Sequence, residues 1–254
     1  IIGPVIGGFL GQYGARIPFY AAAILCMVNF LYGYFILPES LAKENRRDFS
    51  WKRANPIGAV LNLKKHPNLI GLITATFILY VASHAVQSNW SYYTMYKFGW
   101  NEKMVGISLG VVGLLVGIIQ GGLIRFTNPR LGNNKSIFIG MTLYCIGMFL
   151  FAFASEGWMM FVFLVPYCLG GISGPALQSV VSGQVPATEQ GEIQGTMTSM
   201  MSASSIIGPP MMSSVFYFFT HKSAPFQFAG APFVLGGFLM LVSLGIAHKS
   251  LKKK

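Results

Sequence analysis

The sequence predicts an all-α protein, a polytopic bundle of transmembrane helices, and three observations carry that reading. Of the 254 residues, 53% are apolar and only 10% are charged, a balance that a water-soluble domain could not bury. Stretches without Asp, Glu, Lys or Arg recur at roughly 20 residues or more, the length a helix needs to cross hydrocarbon. A short motif, Ile1-Ile2-Gly3-Pro4 followed by Pro18-Phe19, returns as Ile206-Ile207-Gly208-Pro209 followed by Pro232-Phe233. Such a repeat points to duplication of a multi-helix unit.

The uncharged runs cover residues 17–37, 69–96, 104–124, 136–155, 157–188, 193–220 and 223–248, which gives seven full spans. They are continuously apolar and too long for the alternating strands of about 10 residues that build membrane barrels. Residues 1–15 are uncharged as well and read as the rear of an eighth helix. If residues 1–37 and 193–248 are equivalent two-helix units, the four spans that precede the second should also precede the first. The expected parent therefore has twelve helices, six plus six, and its missing N-terminal helices are partners of this chain. On this reading residues 1–37 end the N-terminal half and residues 38–68 form a cytoplasmic link. Residues 69–248 make up the C-terminal half, and residues 249–254 are a basic cytoplasmic tail.

Charge placement orients the bundle. The net charge of +11 raises the question of nucleic acid, but the bases gather at span ends on alternate loops, which is a topological pattern and not a binding stripe. The link holds Lys43, Arg46, Arg47, Lys52, Arg53, Lys64 and Lys65, the turn near residue 130 holds Arg125, Arg130 and Lys135, and the tail holds Lys249 and Lys252 to Lys254. The opposite side has only Arg16, Lys97, Lys103 and Lys222. Link and tail are thus both expected in the cytoplasm. The short apolar stretch Ile57–Leu63 in the link suits either an interfacial helix on the inner leaflet or a solvated tether. Cys26, Cys145 and Cys168 all fall within spans and read as packing residues. No signal peptide is expected, since the first residues lack a basic n-region followed by a cleavage site.

Polar side chains at membrane depth face the bundle or a wet cavity. Tyr80, His84, Gln87 and Ser91 follow i, i+4, i+7, i+11 and share a helix face, as do Gln194, Thr198, Ser202, Ser205 and Pro209. With the amides Gln120 and Gln178, they are the candidate lining of a substrate cavity, although each Ser or Thr is also open to a bond back to its own helix. His84 is the one ionisable side chain well inside a span. Its ordinary pKa, near 6.5, makes it a possible proton site; a neutral histidine bridging two helices is the alternative. Gly3, Gly7 and Gly11, with Pro4 and Gly8, present a smooth, bendable face for close helix packing or gating. Glycines 106, 110, 113, 117 and 121 form a second such face, and Gly170, Gly171, Gly174 and Pro175 mark a bend. Trp90, Tyr92, Tyr93, Tyr96 and Trp100 read as an interfacial belt, and Met197, Met200, Met201, Met211 and Met212 as lipid-facing filler or adaptable pocket wall.

The run Gly3-Pro4-x-x-Gly7-Gly8, then Pro18-Phe19 and Leu37-Pro38-Glu39-Ser40, resembles the fifth and sixth helices of drug/proton antiporters of the major facilitator superfamily, in particular the tetracycline-resistance efflux branch. Val105-Gly106-Ile107-Ser108-Leu109, Gly170-Gly171-x-x-Gly174-Pro175-Ala176-Leu177-Gln178, Gln190-Gly191-x-x-Gln194-Gly195 and Ile207-Gly208-Pro209 extend the likeness through nearly the whole chain. The resemblance implies a multi-pass transporter in a bacterial cell membrane. It also implies gating roles for Gly3, Pro4, Gly7, Gly8, Gly208 and Pro209, protons as the coupling partner and no cofactor beyond the proton gradient. Two positions depart from the branch: Val116 stands where a histidine is usual, and Tyr144 where an acid is usual. The loop motif that carries charges in the superfamily reads here Gly122 to Lys135 with few of them.

No G-x-S-x-G, H-E-x-x-H, paired Cys ligands or P-loop occurs, so neither an enzyme nor a nucleotide-driven pump is expected. Three functions stay open at this point: proton-coupled efflux of a drug-like apolar compound by alternating access, facilitated passage or import on the same scaffold, and a membrane subunit that moves no solute.

Overall fold

A computed structural model describes residue 10, residues 13 and 14, residues 16–38 and residues 67–252, with the backbone alone at residues 67, 68 and 102. Every regular element among them is helical. The chain forms two compact units, Ile1–Asp48 and Phe49–Lys254. Gly3, Pro4, Gly7 and Gly8 of the repeated motif, and the link from residue 39 to residue 66, lie outside the described residues.

In the first unit, helix α1 spans Ile17–Phe35, opening on Pro18 in its first turn. Proline fits there because the first turn has no intrahelical acceptor for its missing N–H. The helix carries no charge along its 19 residues and is long enough to cross a bilayer.

The second unit holds the remaining helices: α2 (Pro67–Phe98), α3 (Glu102–Ile118), α4 (Ile124–Phe153), α5 (Gly157–Leu169), α6 (Ser173–Ser182), α7 (Gln190–Thr220) and α8 (Ala231–Lys252). Asn101 starts α3 by accepting the Met104 N–H at 3.0 Å through its side chain, the usual way an exposed first-turn donor is satisfied. A π turn, Ile119–Leu123, joins α3 to α4 without a loop, so helical structure continues from residue 103 to residue 153 with one interruption. At about 1.5 Å per residue that length is more than twice the hydrocarbon thickness. The break is Gly132, whose φ of 75° and ψ of 158° leave the helical region, a conformation that glycine reaches without a Cβ clash. The stretch is therefore two spans, and Gly132 falls between the uncharged runs ending at residue 124 and beginning at residue 136.

Among the described residues five helical stretches are long and apolar enough to cross a membrane, the 103–153 stretch among them. Helix α7, at 31 residues, is long enough but too polar to join them, because its Gln, Ser and Thr stripe dilutes the apolar surface. The last span starts later than the sequence predicts, at Ala231 and not at residue 223. It also continues through Lys249 to Lys252, so these bases of the expected tail are the final turn of a helix. The bend expected at Gly170–Pro175 is a 3-10 turn, Gly170–Ile172, between α5 and α6.

Helix α2 is the axis of this unit, packed most widely against α8 and α7, while α4 packs against α8, α5 and α6. Ser243 of α8 donates to the Ala75 carbonyl of α2 at 2.6 Å. One buried cluster gathers Leu69, Leu72, Ile137, Met141, Leu177 and Met240 around the first half of α2. A second gathers Trp90, Tyr93, Phe151, Met160, Met212 and Phe233 around the other half. Ile139, Ile146, Val162, Val165, Phe238 and Val242 are exposed. Apolar surface is no liability where the surroundings are lipid tails, and packing contacts, not escape from water, hold such helices together.

One sequence expectation is corrected by this packing. Trp90 and Tyr93 are core residues and not an interfacial belt: the Trp90 indole donates to Ser108 Oγ at 2.9 Å and the Tyr93 hydroxyl donates to the Phe151 carbonyl at 2.5 Å, while Tyr92 and Tyr96 are exposed. Tyr93 follows Trp90 at i+3, which keeps both on the inner side of α2. Glycines 106, 110, 113 and 121 face open space, with nothing within 4 Å of where a Cβ would stand, so this stripe packs against no described residue.

Candidate functional site

Between α2, the π turn, α4, the 3-10 turn, α6 and α7 lies a cavity of about 320 Å³. Of the residues proposed from sequence to line a substrate cavity, Tyr80, Gln120, Gln178, Gln194 and Thr198 border it; His84, Gln87 and Ser202 do not.

The arrangement follows from local geometry. Thr76, Leu79 and Tyr80 occupy neighbouring directions on α2 and present one wall. His84 lies about 40° round the helix from Tyr80, which turns it towards α7. There it is buried, 8% exposed, and its ring sits on Gly208: a Cβ at that glycine would come within 2.7 Å of His84 Cγ. The glycine of the repeated motif is thus a point of close approach between α7 and α2. Gln87 is exposed and donates to Ser83 Oγ at 3.2 Å. Ser202 is exposed one turn beyond Thr198.

Opposite Tyr80, α6 and α7 supply an amide relay. Gln178 Nε2 donates to Gln194 Oε1 at 3.1 Å, and Gln194 Nε2 donates to Ser182 Oγ at 3.0 Å. Each bond fixes the orientation of the next, so the two amides act as one unit. Thr198 donates to the Gln194 carbonyl of its own helix at 2.9 Å, and Ser205 likewise to Met201 at 3.1 Å, the back-bonding alternative left open for such residues. Gln120 is carried by the π turn, an irregularity that recurs at functional positions in helices.

Sequence reasoning missed the cavity's aromatic floor. Tyr144 of α4 borders the cavity, its ring lies directly on the Gly170 backbone, and it meets Tyr167 edge-on with ring centroids 5.1 Å apart. The available signal was a phenol in the middle of an otherwise apolar span, at the position where the resemblance led one to look for an acid. Met197 and Met201 also border the cavity, and Met212 is fully buried, so these three methionines are pocket wall or core. None of the cavity-lining side chains is Asp, Glu, Lys, Arg or His. The wall offers hydrogen-bond donors and acceptors, phenol rings and thioethers, but no formal charge. Among the described residues no three His, Cys, Asp or Glu side chains gather to hold a metal.

Comparison with known proteins places the whole. The family model of the Major Facilitator Superfamily matches residues 1–209 and, again, residues 125–254. The chain belongs to this superfamily. It is 32% identical over 244 residues to the class C tetracycline resistance protein of Escherichia coli, a match covering 96% of this chain and 60% of that protein. It is 32% identical over 252 residues to the class G protein of Vibrio anguillarum, covering 98% of this chain and 62% of that one. A human relative, Hippocampus abundant transcript-like protein 1, is 23% identical over 264 residues, covering 96% of this chain and 52% of its own length. The chain therefore spans about 60% of the length of the tetracycline resistance proteins it resembles.

Proposed function

We propose that this superfamily member serves in a multi-pass bacterial cell-membrane transporter that exports a drug-like, mostly apolar compound in exchange for protons. Residues 69–248 would form a C-terminal six-helix half, residues 1–37 the end of the other half, and residues 38–68 a cytoplasmic link. The single observation that carries the reading is the uncharged cavity enclosed by the long helices, bordered by Tyr80, Gln120, Tyr144, Gln178, Gln194 and Thr198, in a chain similar to proteins named for tetracycline resistance. Amides and phenols lining a pocket discriminate by shape and hydrogen bonding, as small-molecule sites do. With no carboxylate in this wall, coupling to protons falls to other parts of the full-length protein.

Alternating access would have the two halves rock about this site, with the close contact of His84 and Gly208 setting how far α7 can move against α2. The motif glycines Gly3, Gly7, Gly8 and Pro4 would take the corresponding gating place in the other half. The test is drug accumulation in cells expressing the full-length protein, with and without a proton uncoupler. Efflux abolished by the uncoupler supports antiport. Efflux or uptake that ignores it points to a facilitator, and no change in accumulation over the vector control removes the transport reading.

A further inference from the structure

Helices α2, α4 and α8 contain no Asp or Glu, and they meet at the end of the bundle that carries Lys252. Ser250 of α8 lies against Gly71 of α2. The His248 imidazole stands edge-on to Phe138 of α4, ring centroids 5.0 Å apart. Helices α4 and α8 run antiparallel, since Phe138 meets His248 while Phe149 meets Phe238. Lys135, one turn before Phe138, and Lys252, one turn after His248, therefore extend past the ring contact in the same direction, with Lys249 beside them. Lys135, His248, Lys249 and Lys252 are all exposed.

Towards the middle of the span the same groove turns apolar. Phe238, Leu241 and Val242 are exposed on α8, and Gly245 leaves open space beside them, since a Cβ there would meet nothing within 4 Å. A cationic rim of lysines, uncompensated by any carboxylate on the three helices that form it, stands at the end of a bare apolar surface that a glycine leaves uncovered. That combination complements an amphiphile with an anionic head. We propose that the α4–α8 groove binds an anionic phospholipid, its phosphate held by Lys135, Lys249 and Lys252 and one acyl chain lying over Gly245. Lysine ammonium groups gather anionic headgroups at the membrane surface, and the apolar floor adds retention that a free anion would lack.

Native mass spectrometry of the purified full-length protein, titrated with phosphatidylglycerol against phosphatidylcholine of the same acyl chains, tests the site. The expected result is one phosphatidylglycerol retained in preference to phosphatidylcholine. The preference should fall roughly tenfold or more in the K135Q/K249Q/K252Q variant and be kept in K135R/K249R/K252R. An R125Q/R130Q variant, which removes bases from the neighbouring turn, should keep it as well. Circular dichroism verifies that each variant retains its helix content. Unchanged preference in the glutamine variant overturns the proposal, as does loss in the arginine variant. An equal loss in R125Q/R130Q would mean diffuse charge attraction and no site. Complete displacement of the lipid by millimolar inorganic phosphate would make this a free-anion site and also overturn it.

Discussion

Replacing Gly208 with alanine isolates the contact between α2 and α7. The added methyl would stand 2.7 Å from His84 Cγ and 2.9 Å from His84 Cβ, whereas carbon atoms pack at about 3.5–4.0 Å. The atoms near the ring's attachment point cannot swing away as a flexible tail could, so the helices must part by roughly 1 Å or the imidazole must leave its rotamer. Overpacking of this kind costs about 1–3 kcal/mol. For a unit of this size that corresponds to a fall in melting temperature of roughly 4–8 °C for a cost near 2 kcal/mol. The assay is thermal unfolding of the purified protein in detergent, with Gly208→Ala, His84→Ala and the double variant forming a cycle. Because the clash is with His84 specifically, the double variant should be more stable than the sum of the single losses by about 1 kcal/mol or more. Additive losses, or a Gly208→Ala protein as stable as the parent, would refute the close approach and the gating place given to it.

Gln194→Leu removes both bonds of the amide relay and should raise the KM for an exported compound about 10- to 100-fold with little change in maximal rate, whereas Gln178→Leu removes one and should raise it about 2- to 10-fold; substrate-dependent efflux kinetics measure both. His84→Gln should leave the pH dependence of transport unchanged, since the ring faces Gly208 and does not border the cavity; a shifted profile would reinstate it as the proton site. Tyr93→Phe strips the donor from the buried Phe151 carbonyl and should cost about 1–2 kcal/mol of stability in a denaturation series. Gly110→Ala should leave the stability of this chain unchanged, because the position opens on empty space, and a measurable loss would mean a neighbour packs there.

Composition and charge spacing alone settled that this is a helical membrane protein. Hydropathy is a local property summed along the chain, and a run of about 20 uncharged residues has few other physical solutions. The amides Gln120, Gln178 and Gln194 were likewise legible, because an unpaired amide in lipid is costly wherever it falls and so marks an interior. What periodicity could not decide was which interior. Tyr80, His84 and Gln87 share a broad helix face, yet only Tyr80 reaches the cavity, since a few tens of degrees of rotation and the crossing of α7 at Gly208 separate them. Trp90 and Tyr93 read from the sequence as an interfacial belt, and only the approach of α3 and α4, which brings Ser108 Oγ and the Phe151 carbonyl within bonding distance, makes them core. Tyr144 entered the site through the way the 3-10 turn at Gly170 lets its ring lie flat on the backbone. Those outcomes depend on how helices distant in sequence approach and turn against one another, and only the tertiary structure holds that information.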